Sequence, residues 1–132
     1  MELIKEQITD IHIIKRYKSD KLQNEEDVIE FIDFIRNNTN IKIETISFDD
    51  DDIYSDVGND SMQFSGDESK DILLKYLTSK NIDYASLIAY YHEKNLSIAI
   101  SVSIQNLTIG ICASVEDDID FLSLEKELNE KY

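Results

Sequence analysis

A chain of 132 residues with 28 acidic and 13 basic side chains carries a formal charge of −15. That sign opposes direct binding to nucleic acid, where neutralising phosphates supplies much of the affinity, and it disfavours anionic membrane surfaces. A hydrophobic share of 42% is that of a folded protein, and the length suits a single domain over 1–132 with a sizeable core.

The composition also constrains turns and redox state. There is no proline, three glycines and one cysteine. Turns must therefore rest on Asn, Asp and Ser, and no intrachain disulfide can form, so a reducing compartment fits. The N-terminal MELIKEQITDIHIIKRYKSD lacks the apolar stretch of a signal peptide, and no run approaches the ~18 apolar residues of a membrane span. The expected location is the cytoplasm.

In chain order, the first element is ambiguous between helical spacing (Ile4, Ile8, Ile11) and β-branched density. A strand over Ile8–Tyr17, preceded by a helical turn, is the reading adopted. NEEDVIEFIDFIRNN then reads as a helix. Asn24 and Asp27 have the spacing of a capping box, further acids lie near the start, and Val28, Phe31, Ile32 and Ile35 form one apolar stripe. Asn37 and Asn38 can close it in place of glycine.

IKIETISF reads as a strand whose apolar phase slips near Thr45, as a β-bulge or a change of covering partner would produce. DESKDILLKYLTSKN reads as a second helix with Ile72, Leu73, Tyr76 and Leu77 inward. YASLIAYYH reads as a strand, followed by a hairpin in LSIAISVSIQNLTIGICASV. A two-residue turn at Gln105–Asn106 sets Ile104 against Leu107, Val102 against Ile109, Ile100 against Ile111 and Ile98 against Ala113. The other face is Ser, Thr, Ala, Gly and Cys, and a slip of one residue would mix the two sets. FLSLEKELNEKY closes the chain as a helix with Phe121, Leu124 and Leu128 on one side. The expected fold is a two-layer α+β domain: a mainly antiparallel sheet ending in a three-stranded meander, with helices on one face.

No chemistry of catalysis or cofactor binding emerges. An EF-hand started at Asp49 places Ile53 and Tyr54 at its fifth and sixth positions, and one with Gly58 sixth must start at Ile53, so no calcium register works. Cys112 falls mid-strand, out of line with His92, and reads as a buried thiol; His12 lies in the ambiguous first element. Phosphate-binding glycine loops, zinc spacings and serine elbows are missing. The expectation is a protein that is not an enzyme, with no cofactor and no metal.

What stands out is FDDDDIYSDVGNDSMQFSGDES, with eight acids and no Lys or Arg. Its acids are interleaved with Phe48, Ile53, Tyr54, Val57, Met62 and Phe64, which a purely solvating tail would lack. Charge steers a basic partner and apolar anchors hold it. The expected partner-binding residues are Asp49, Asp50, Asp51, Asp52, Tyr54, Asp56 and Asp60.

In size, charge and element order, across its whole length, the chain resembles the small acidic immunity proteins of bacterial polymorphic toxin systems. The resemblance is one of overall character and transfers no site. It implies a compact cytosolic α+β domain that covers the active site or substrate groove of a basic toxin, with a nuclease domain a candidate. Two alternatives stay open: a phage-type inhibitor that mimics nucleic acid with carboxylates, and a regulatory adaptor or small oligomeric scaffold, such as a homodimer, that uses the small-residue sheet face.

Overall fold

Alternation of large aliphatic and small side chains drives the centre of the sheet. In the computed structural model, which describes residues 1–39, 41–50, 62–79, 82–91, 97–103 and 106–132, strands β6 (Ser97–Ser103) and β7 (Thr108–Ser114) pair in the anticipated register. Ile100 lies opposite Ile111 and Val102 opposite Ile109, while Ala99 meets Cys112 and Ser101 meets Gly110 on the other face. Gln105 of the anticipated turn, and Ile104 before it, lie outside the described residues. Leu107, expected to pair as the first residue after the turn, instead belongs to the turn and takes a left-handed φ of 55°, and β7 begins at Thr108.

Around this hairpin stand β1 (Glu2–Ile8), β2 (His12–Lys18), α1 (Glu25–Asn38), β3 (Ile41–Asp50), β4 (Met62–Ser65), α2 (Lys70–Ser79), β5 (Ile82–Tyr91) and α3 (Asp118–Lys131). The strands form one seven-stranded sheet in the order β1-β2-β7-β6-β5-β3-β4, and every neighbouring pair is antiparallel. The fold is α+β, with β5, β6 and β7 as the meander. Ile98, Ile100, Val102, Ile109 and Ile111 are buried in one apolar cluster with the inward faces of α1 (Phe31, Ile35), α2 (Leu73, Leu77) and α3 (Phe121, Leu128).

Local signals explain most boundaries. Asn24 and Asp27 form the capping box: the Asn24 side chain accepts from the Asp27 N–H at 3.0 Å, and the Asp27 carboxylate accepts from the Asn24 N–H at 3.2 Å. The far end of α1 closes differently from expectation. Asn37 and Asn38 keep to the helix and their amides donate back to the carbonyls of Asp33 and Phe34, with Thr39 as an extended C-cap. In β3 the pairing with β5 passes from Ile43 to Thr45 across a register shift, which is the bulge inferred from the phase slip. Gly66 fits against that bulge. A Cβ there would stand 1.8 Å from the Ile43 carbonyl oxygen, so only glycine lets its N–H reach the Glu44 carbonyl at 3.0 Å.

Three expectations are corrected. The N-terminal region is a hairpin of two strands, β1 and β2, with no helical turn. Thr9 makes the bend: its hydroxyl oxygen accepts from the N–H groups of Ile11 and His12 at 3.3 and 3.0 Å. The helical spacing of Ile4, Ile8 and Ile11 is incidental, and all three are exposed. Strand β4, inside the acidic stretch, was not anticipated. Ile72 points outward, 48% exposed, because Leu73 and Leu77 alone satisfy the inward stripe with Tyr76 at its margin.

Candidate functional site

The acidic stretch begins in β3 and takes in β4, at one edge of the sheet. Its first two aspartates, Asp49 and Asp50, are the last residues of β3, paired with Tyr84 and Ile82 of β5 across a second register shift. Asp51, Asp52, Tyr54, Asp56 and Asp60 lie outside the described residues. The β3–β4 pairing ends with Phe48 opposite Met62.

That stem is held by aromatic packing. Phe48 is tilted against Phe64 at 5.7 Å between centroids and stacked on Tyr76 at 6.0 Å, and Phe64 meets Tyr76 edge-on at 5.5 Å. Phe48 is fully buried and Phe64 only 8% exposed. This corrects the expectation that these two rings serve as anchors for a partner: they belong to the protein's own core. Downstream, Arg36 of α1 donates from Nη1 to the Glu68 carbonyl at 2.8 Å, and Lys70 bridges Glu30 and Asp33 at 3.3 and 3.7 Å, tying α2 to α1.

The opposite edge has the reverse sign. Strand β2, HIIKRYK, carries Lys15, Arg16 and Lys18 and no acid, and Lys5 of β1 stands opposite Arg16. Strand order thus separates the acid-rich β3–β4 edge from a cationic β1–β2 edge by the width of the sheet. The basic run in HIIKRYK is a visible sequence signal that the net charge conceals.

Beneath that edge a polar cluster fastens α3. The Tyr17 hydroxyl donates to the Glu125 carboxylate, and Lys15 Nζ lies 3.1 Å from Glu125, 3.6 Å from Glu6 and 5.4 Å from the Phe121 ring centroid. Burial, then the Glu125 hydrogen bond and charge, hold the Tyr17 hydroxyl well above its ordinary range. Tyr17 is 2% exposed, and its bond to Glu125 fastens α3 to the sheet. These residues are 108 and 110 positions from Glu125, a separation that no local pattern reveals.

Cys112 is half-buried on the small-residue face, which corrects its expected burial; it stands opposite Ile14 and Ala99. His12 lies further along β2 opposite Ser114, and His92 is outside the described residues. Among the described residues no group of His, Cys, Asp or Glu is arranged to hold a metal ion, and no helix is long and apolar enough to cross a membrane. No family model, curated protein or solved structure matches the chain.

Proposed function

We propose that this chain is a non-enzymatic, cytoplasmic binding protein that neutralises a basic partner protein, as the immunity proteins of toxin systems do. The observation that carries this reading is the acid-rich segment, rooted at one edge of the sheet on a stem fixed by Phe48, Phe64 and Tyr76. A run of acids beside an aromatically packed edge suits steering: long-range attraction raises the encounter rate, and a ring such as Tyr54 supplies affinity once contact is made. A toxin domain with nuclease activity fits the charge, because such a domain must carry cations to hold its own polyanionic substrate.

The test is co-expression with the basic protein encoded in the adjoining gene. Protection of the host cell and a complex that survives purification are the expected results. Failure to protect, together with failure to bind, contradicts the proposal.

A second reading rests on β1. All seven residues of this edge strand are exposed, with Leu3 and Ile8 among them, and an open strand edge is a template for pairing with another chain. A small oligomeric scaffold would use that edge, and the molecular mass of the purified chain in solution decides it.

A further inference from the structure

The open face of the sheet holds a second feature, independent of the acidic segment. Lys5 of β1 and Arg16 of β2 stand directly opposite each other on this face, and Arg16 is in turn opposite Gly110 of β7, which is opposite Ser101 of β6. One row across four strands therefore reads cation, cation, glycine, hydroxyl. The row borders a depression of about 250 Å³ whose lining includes Lys5, Arg16, Ile14, Ser101, Gly110 and Cys112. Gly110 makes the floor low. A Cβ there would stand 2.6 Å from the Ser101 Oγ, so the missing side chain leaves that hydroxyl at the floor.

The charges are the unexpected part. Like charges directly opposite on neighbouring strands destabilise a sheet. In a chain with 28 acids and 13 bases, a carboxylate beside such a pair would be easy to place. Yet both side chains are exposed, and among the described residues neither forms an ion pair. The acid nearest in register on this face is Glu2, which stands opposite Lys18, while Glu6 stands opposite Lys15 and reaches its ammonium on the other face.

We infer that this trough is a binding site for a small anionic ligand carrying a phosphate or carboxylate group. The anion sits between the Lys5 ammonium and the Arg16 guanidinium, which offers paired donors to two oxygens at once. The Ser101 hydroxyl donates from the floor, and Ile14 supplies an apolar wall. The volume lies just below the usual range for drug-sized ligands, so the trough selects small anions over extended ones.

The test uses the full chain and two probes, pyrophosphate and malonate, titrated at constant ionic strength while backbone amide resonances are followed by NMR. Saturable shifts centred on Lys5, Arg16, Ser101 and Gly110 are expected. Pyrophosphate binding more tightly identifies a phosphate site, and malonate a carboxylate site. Arg16→Gln, which removes charge from an exposed side chain, should weaken the preferred probe by about tenfold, the value of a charge-assisted hydrogen bond.

Cys112 gives a second readout on the same wall. The anionic disulfide reagent dithiobis-nitrobenzoate should modify it faster, relative to neutral iodoacetamide, in the parent than in Arg16→Gln, and the preferred probe should slow both reagents. Absence of saturable shifts with either probe, or shifts that Arg16→Gln leaves unchanged, would overturn the site.

Discussion

Ile100 and Ile111 face each other across the central β6–β7 ladder, 0% and 1% exposed, within the apolar cluster that also takes in the inward faces of the helices. An aspartate at position 100 would put an unpaired charge at the middle of the apolar cluster. That costs several kcal/mol, on the scale of the whole stability of a small domain. Ile100→Asp is therefore expected to be unfolded by circular dichroism at neutral pH. A folded, soluble variant would show that the buried face is misassigned.

The contact between Gly66 and the Ile43 carbonyl leads to a second prediction. The obstacle to a side chain at position 66 is backbone, which cannot rotate away, so Gly66→Ala should cost about 3 kcal/mol in urea unfolding. Gly110→Ala meets only the Ser101 hydroxyl, the movable end of a side chain, and should cost less than about 1 kcal/mol. Equal losses at the two positions would contradict the bulge geometry.

How much of this was legible in the sequence depends on the range of the interaction. Alternation in LSIAISVSIQNLTIGICASV dictated the β6–β7 register, because slipping one residue would expose every isoleucine. Asn24 and Asp27 announced the start of α1, because a capping box is local. Strand β4 was hidden, since MQFS is too short to show a period and its ordering comes from pairing with β3 and from the Phe64 contacts with Phe48 and Tyr76. The N-terminal hairpin was hidden because Thr9, rather than glycine or asparagine, makes its turn. The cation pair of Lys5 and Arg16 needs the β1–β2 register, which a bulge at Ile4 shifts by a residue.

The clamp on α3 is testable through Glu125. Its carboxylate accepts from Tyr17 and pairs with Lys15, so Glu125→Ala strands a buried hydroxyl and leaves a largely buried ammonium with only its longer contact to Glu6. A loss of about 2 kcal/mol is expected in chemical unfolding. Adding Tyr17→Phe should recover part of it, since the stranded hydroxyl is then gone. Full additivity of the losses would deny the coupling.

Alkaline pH acts through Tyr17 and through Tyr132, whose hydroxyl is pushed up from its ordinary 10 to about 12, first by burial and then by the charges of Glu30 and Asp27. The folded protein keeps a proton that the unfolded chain releases above pH 10, so stability falls as pH rises from about 10 toward 12. Its contribution is complete below pH 10. Among the described residues the hydroxyl has no hydrogen-bond partner, so Tyr132→Phe should not destabilise the protein at neutral pH and should reduce the alkaline loss, leaving the part due to Tyr17. Urea midpoints at about pH 9 and about pH 11 check both statements.

The central claim is that the acidic segment captures a basic protein by charge. The most direct measurement is the association rate of the chain with the basic protein of its adjoining gene, taken at two salt concentrations. The parent is compared with a variant in which Asp49, Asp50, Asp51 and Asp52 are all asparagine. Exposed charges act over a Debye length of about 8 Å at physiological ionic strength, so the variant should fold normally, associate about tenfold more slowly at low salt and respond less to added salt. An association rate and a salt dependence identical to those of the parent would make the aspartates solubility residues and contradict the account.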